Sequence, residues 1–161
     1  MSALALTRIG VLSLLALIGS YQDIRFRRLP NWLCLITLIT GLVLGWITYG
    51  ADWAAMSALH AVAALVAGMI LFAMQVVGGG DAKFYAALAA WMPLAFSGAL
   101  AITIALAGFV LLIVWFSLRS AMASSPRRGG NSNFRKLPYG VAIASGAVIV
   151  SLLELLGQFA I

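Results

Sequence analysis

The stretch WLCLITLITGLVLGWITYGADWAAMSALHAVAALVAGMILFAMQVV occupies residues 32–77 and contains one acidic residue, Asp52, and no lysine or arginine. A membrane-spanning helix needs about 20 mostly apolar residues, so this stretch holds two crossings joined by a short polar turn at residues 49–52. A soluble domain carries roughly 25% charged residues, whereas this chain is 9% charged and 64% hydrophobic. The stretch therefore predicts an all-α integral membrane protein.

Apolar runs on both sides of this stretch extend the prediction to six transmembrane helices in a single domain, residues 1–161. The fourth run is short, and Pro93 with the pair Ser97 and Gly98 favours a break before the fifth. We expect the first run to be an uncleaved span, because it lacks a clean A-x-A signal-peptide site. The predicted spans are residues 4–21, 32–49, 53–77, 82–94, 97–118 and 139–159.

Basic residues concentrate in three predicted loops, at about residues 22–31, 78–83 and 119–138. Because lysine and arginine are retained in cytoplasmic loops, we expect these loops in the cytoplasm and both termini outside. Arg8 is the discordant charge, and we expect its side chain to reach the outer interface. The net charge of +6 then reflects orientation and contact with anionic lipid headgroups, not nucleic acid.

Acidic residues are scarce, and each is informative because an unpaired charge inside a membrane is costly. The chain has four: Asp23, Asp52, Asp81 and Glu154. We expect Asp52 to be solvated or to cap the third span, and Glu154 to reach the outer interface or pair with a neighbouring helix. Asp23 ends the first span and Asp81 begins the fourth. Since two crossings separate them, both carboxylates lie on the same predicted face and can meet.

Two facing carboxylates in a partly dry site share a proton, so that one acts as a general base and the other as a general acid. The base activates water against a peptide carbonyl, and the acid protonates the carbonyl oxygen. Such a pair hydrolyses a peptide without a metal, a cofactor or a covalent intermediate. Cys34 is the single cysteine, which excludes an internal disulfide and a Cys-rich zinc site.

The local sequence around Asp81 is Val-Gly-Gly-Gly-Asp-Ala-Lys, residues 77–83. Glycines that interrupt a helix at membrane depth are tolerated where the backbone lines a cavity, and they let a substrate strand approach closely. We expect Asp81 to cap the fourth helix, whose dipole would favour the ionised carboxylate. An ordinary glycine turn explains this run equally well, and an aspartate paired with a nearby arginine explains Asp23 better when its segment is taken alone.

Three motifs together resemble the type IV prepilin peptidase family, the membrane aspartic peptidases of the G-x-G-D class. Residues 78–83 match the family's G-x-G-D-x-K, residues 23–31 resemble D-x-x-x-R-R-[IL]-P-N, and residues 137–142 resemble P-Y-G-x-A. The similarity follows the family's order and spacing over nearly the whole chain. It implies cleavage of the basic leader from a type IV prepilin or pseudopilin, after a glycine at the cytoplasmic boundary of the bacterial inner membrane.

The resemblance also implies site residues. Asp23 and Asp81 would be the catalytic pair, Gly78 and Gly80 would shape the site, and Lys83 would tune Asp81, bind the substrate or only mark the inner face. Larger members carry a cytoplasmic domain with paired cysteines that methylates the new N-terminus. This chain has a short first inner loop and one cysteine, so we expect no methyltransferase activity. In this respect it resembles the dedicated peptidases of tight-adherence (Flp-type) pilus systems.

Two other functions compete with this reading. A small proton-coupled transporter or channel would place acids near the middle of the membrane, where only Glu154 comes close. A non-catalytic membrane protein of pilus assembly would have the same fold. His60, within the third span, is expected to pack between helices and not to take part in catalysis.

Overall fold

The computed structural model describes residues 3–123 and 138–157, and all regular secondary structure in that part of the chain is helical. The helices are α1 (Ala3–Phe26), α2 (Asn31–Tyr49), α3 (Ala51–Ala73), α4 (Gly79–Ala89), a 3-10 helix (Leu94–Phe96), α5 (Ser97–Ala123) and α6 (Tyr139–Leu155). The predicted all-α class is therefore confirmed over the described residues, and each of the six predicted spans contains a helix.

Four helical segments are long and apolar enough to cross a bilayer: α1, α2, α3 and the segment Leu94–Ser117 that contains most of α5. The chain is accordingly a multi-pass membrane protein. The other two helices are shorter, with 11 residues in α4 and 17 in α6. At 1.5 Å per residue α4 is only about 16 Å long, against a hydrocarbon core of about 30 Å. The count of six crossings remains a prediction for these two.

Several helix boundaries differ from the sequence-based expectation, and two of these differences move a candidate residue. α1 continues to Phe26, so Asp23 lies inside the last turns of a helix and not after its end. α4 begins at Gly79 with Gly78 at the N-cap, so Asp81 lies in the first helical turn instead of capping it. The connections before α2 and α4 are thus shorter than the predicted loops. The third predicted loop, residues 119–138, lies mostly outside the described residues, although α5 continues to Ala123.

α4 lies at the centre of the bundle and packs against α2, α3 and α6. Its side chains from Phe84 to Leu88 are apolar and mostly buried, as expected for a helix surrounded by other helices. The fully buried Trp91 follows α4 and lies against Gly41 of α2, where a Cβ atom would sit 2.7 Å from the indole ring. The Trp91 Nε1 donates to the Thr37 carbonyl at 2.9 Å. This contact fixes the far end of α4 and leaves its first turn pointing toward the opposite end of the bundle.

A buried ion pair lies at the far end of α1 from Asp23. The Arg8 side chain is 1% exposed, and its Nη1 lies 3.1 Å from Glu154 Oε1 on α6. Arg8 Nη2 donates to the Trp91 carbonyl, and the central carbon of the guanidinium lies 5.2 Å from the centroid of the Tyr49 ring. The expectation that the Arg8 side chain reaches the outer interface is wrong. The guanidinium is buried, and it bonds to Glu154 and to the Trp91 carbonyl instead of to interfacial water. Glu154 pairs with a neighbouring helix, one of the two outcomes expected for it.

Candidate active site

A cleft of about 570 Å³ opens where the end of α1 meets the beginnings of α2 and α4. Asp23 lines it from α1, and Asp81 lines it from α4. The other predicted site residues, Gly78, Gly80 and Lys83, line the same cleft. All five residues singled out in the sequence therefore surround one cavity, although 58 positions separate the two aspartates in the chain (81 − 23).

Asp23 is held by a third helix that the sequence motifs did not connect to it. Its carboxylate Oδ2 accepts a hydrogen bond of 2.8 Å from the backbone N–H of Gly140, the second residue of α6. This N–H belongs to the first helical turn, where backbone donors lack partners within the helix, and it favours negative charge on the acceptor. A Cβ atom at Gly140 would lie 2.9 Å from the same carboxylate oxygen. Glycine is therefore what allows α6 to approach Asp23, and the P-Y-G motif was the only signal for it.

Asp81 is partly buried, whereas Asp23 is only 8% exposed. Burial, and secondly the negative charge of Asp23, raise the pKa of Asp81 from its usual 3.8 to about 6. The sequence led us to expect that the α4 dipole would favour the ionised form; the net direction at Asp81 is the opposite, and its largest cause is burial. The cleft thus holds two carboxyl groups in unlike surroundings, which separates their affinities for a proton.

Gly78 and Gly80, which precede Asp81, differ in how much space there is for a side chain. A Cβ atom at Gly78 would lie 2.9 Å from Asp81 Oδ2, so a side chain there would displace the carboxylate. A Cβ atom at Gly80 would lie 3.6 Å from the nearest atom, on Leu29, which is an ordinary contact. Of these two predicted shaping residues, only Gly78 has a direct steric relation to an aspartate.

The cations around the cleft contact its walls. Lys83 Nζ donates to the side-chain oxygen of Asn31 at 3.1 Å and so joins the first turns of α4 and α2. Arg27 has a backbone φ of +54°, in the left-handed region, and its guanidinium lies 5.7 Å from the centroid of the Trp115 ring on α5. Asn31 lies within a motif quoted above, but its bond to Lys83 was not foreseen. Nothing in the sequence indicated Trp115.

The other candidate residues lie away from the cleft. His60 Nδ1 is 3.0 Å from the Met92 carbonyl in the buried interior, as a packing histidine would be. Within residues 3–123 and 138–157, no three His, Cys, Asp or Glu side chains come together as a metal site would require. The cleft itself offers two carboxyl groups, with the backbone N–H of Gly140 bound to Asp23.

The chain matches the model of a known protein family. A family model described as the type IV leader peptidase family matches residues 10–121. The matched segment contains both aspartates and every helix from most of α1 to nearly the end of α5. Comparison with curated proteins found no match, and neither did comparison with solved structures.

Proposed function

The chain belongs to the type IV leader peptidase family, and from this premise we propose that it removes the basic leader from Flp-type type IV prepilins or pseudopilins. Cleavage would occur at the cytoplasmic boundary of the bacterial inner membrane, by water that Asp23 and Asp81 activate. The observation that carries the proposal is the single cleft lined by both aspartates. The proposal includes six crossings, both termini outside and no N-methyltransferase activity.

The unlike surroundings of the two aspartates support a division of roles. Asp23 is buried, which disfavours its ionised form, but the Gly140 N–H and the nearby Arg27 charge both oppose that cost, so we assign it the role of the base that takes a proton from water. Asp81, with its pKa raised to about 6, keeps its proton and donates it to the carbonyl oxygen of the scissile peptide as the hydroxide adds to the carbonyl carbon. The proton on Asp23 then passes to the leaving amine when the carbon–nitrogen bond breaks.

Charge around the cleft supports its cytoplasmic orientation. Arg27, Arg28 and Lys83 line it, and Arg25 lies two residues from Asp23 on α1. Arg8, at the other end of α1, is buried and paired with Glu154, so it does not count against the positive-inside assignment. The same ion pair is why we do not propose a transporter, since Glu154, the acidic residue expected to lie farthest inside a span, is bound to a cation instead of standing in an open proton path.

Co-expression with a Flp-type prepilin in a bacterial strain without its own leader peptidase tests the proposal. We expect intact-mass measurement of the pilin to show a loss equal to the leader, with cleavage after a glycine and no methyl group on the new N-terminus. A pilin that keeps its full mass in the presence of correctly inserted protein would overturn the proposed function. A methylated product would overturn only the part that concerns methyltransferase activity.

The raised pKa of Asp81 predicts the pH dependence of cleavage. As pH rises through about 6, Asp81 loses the proton that it must donate, so kcat/KM falls by about tenfold per pH unit above that point. The measurement is kcat/KM for a detergent-solubilised prepilin between pH 4.5 and 8.5, with circular dichroism at each pH to confirm that the helices persist. A rate that rises steadily across pH 6 would reverse the assigned roles of acid and base.

Gly140 is predicted to be required although it contributes only backbone. In Gly140→Ala the new methyl group meets Asp23 Oδ2 at 2.9 Å, so the carboxylate must shift, and a displacement of about 1 Å costs roughly 100-fold in rate. The matched control is Gly10→Ala on α1, where nothing lies within 4 Å of the added Cβ. We expect kcat/KM to fall strongly in the first variant and to stay unchanged in the second. Equal rates would show that the α6 contact does not position Asp23.

A further inference from the structure

A groove of about 470 Å³ runs along the membrane-spanning parts of α5 and α6. One face of each helix lines the groove, and the lining contains both large apolar side chains and small ones. Leu106, Ala107, Val110 and Val114 contribute from α5, and Val141 and Ser145 contribute from α6. The spacing of the α5 residues repeats at three and four positions, so they form a continuous stripe. The lining is almost wholly apolar, which suits an apolar occupant.

The helix on one side of this groove is the least covered of the long helices. Only 17% of the apolar segment Leu94–Ser117 is buried, against 28–33% for α1, α2 and α3. α5 packs against α6 and the 3-10 helix and leaves large side chains such as Phe109 and Val110 exposed. An additional helix could therefore pack beside α5 without displacing any existing contact.

The groove ends close to the catalytic cleft on both of its helices. On α6, the groove residue Val141 follows Gly140, whose N–H binds Asp23. On α5, the groove residue Val114 precedes Trp115, whose ring contacts the Arg27 guanidinium in the wall of the cleft. An occupant lying along the groove would thus have its cytoplasmic end beside Asp23.

We propose that this groove binds the apolar transmembrane helix of the substrate, the segment that follows the scissile bond. The inference rests on the proposed function and adds where the membrane-embedded part of the substrate docks. The groove extends about 17 Å along α5 from Thr103 to Val114 and about 12 Å along α6 from Val141 to Ile149. That length accommodates two to three helical turns. A helix held there delivers the extended peptide at its end to the two carboxyl groups, which a lipid chain or a second copy would not do.

Cross-linking tests the occupant without requiring turnover. In an inactive Asp81→Asn chain with Cys34→Ala, Val110→Cys places a thiol in the groove, and Val62→Cys places one on the outer face of α3. These valines have nearly equal exposure, 58% and 60%. Vesicles hold this chain with a prepilin carrying one cysteine in its apolar helix. We expect a bismaleimide adduct between the two chains at Val110→Cys only. No adduct at either position, or adducts only between two copies of the peptidase, would overturn the proposal.

Filling the groove provides a kinetic test. Ala107→Phe occupies the groove, whereas Ala105→Phe adds the same ring to α5 at an exposed position outside it. We expect Ala107→Phe to slow cleavage of membrane-inserted prepilin at least tenfold relative to Ala105→Phe. On a short soluble peptide that spans the cleavage site but lacks the apolar helix, the two variants should differ by much less than on the inserted prepilin. Equal rates on the inserted prepilin, with the unmodified chain active, would sink the docking proposal alone. An unmodified chain that cuts neither substrate would sink the proposed function.

Discussion

Asp23→Asn and Asp81→Asn each lower kcat/KM for prepilin cleavage at least about 1,000-fold, to a level that a cell-based assay reads as no cleavage. Each substitution keeps the size and polarity of the side chain and removes its ability to exchange a proton. General acid–base catalysis by one positioned group contributes about 10²–10⁴-fold. Because one proton serves both carboxyl groups, losing either group stops the cycle, and the double variant should be no worse than either single variant.

The control for this result is the stability of the same variants. The pKa of Asp81 is higher in the folded chain, about 6, than its usual 3.8. The protonated form therefore favours folding at low pH, and that contribution is lost as pH rises through about 6. Asp81→Asn should unfold at no lower temperature than the unmodified chain at pH 8.

The matched activity control is Asp52→Asn, at an exposed acid on α3, which should keep full activity. Full cleavage by either single variant at the cleft would refute the carboxylate pair.

Arg8→Met destabilises the chain by about 3–5 kcal/mol, the cost of removing one partner from a buried ion pair. The substitution leaves the Glu154 carboxylate without the guanidinium that lies 3.1 Å away. It also leaves the Trp91 carbonyl without its donor and removes the cation that lies against Tyr49. The measurement is the free energy of unfolding in mixed micelles, followed by helix content. Little cleaved product should accumulate in cells, because little folded chain is present.

The double variant Arg8→Met/Glu154→Leu separates the buried charge from the lost packing. Apolar replacement of both members of a buried pair is often close to neutral, so the double variant should recover most of the lost stability. Arg25→Met, at an exposed arginine on the same helix, should be nearly silent in the unfolding measurement. A double variant as unstable as Arg8→Met would mean that shape, and not the unpaired carboxylate, sets the cost.

Much of the fold and of the candidate site follows from sequence because lipid constrains a chain more strictly than water does. A charge-poor run such as residues 32–77 has only one low-energy form in a bilayer, the spanning helix. Two crossings return the chain to its starting face, so the meeting of Asp23 and Asp81 at one cleft follows from counting alone. Lys83 and Gly78 lie at the same cleft because they are only two and three positions from Asp81 in the sequence.

The parts that sequence did not reveal depend on packing between distant segments. Glycine has no side chain that would indicate a role in the sequence. The hydrogen bond from the Gly140 N–H to Asp23 depends on the packing of α6 against α1, which the sequence does not specify. Arg8 appeared to be a charge at an interface because its partner, Glu154, lies 146 positions away (154 − 8). The balance of burial against the helix dipole at Asp81 likewise depends on how many neighbours surround the first turn of α4, which spacing does not encode.

Reconstitution tests the central claim most directly. The purified chain, inserted in lipid vesicles with a single Flp-type prepilin, is incubated at pH 6 with a metal chelator present, and the products are identified by mass spectrometry. We expect the leader and the shortened pilin to appear together, and neither to form when Asp23 and Asp81 are both replaced by asparagine. A prepilin that stays intact with the unmodified chain, or that is cut equally well by the double variant, would contradict hydrolysis by this pair of carboxyl groups.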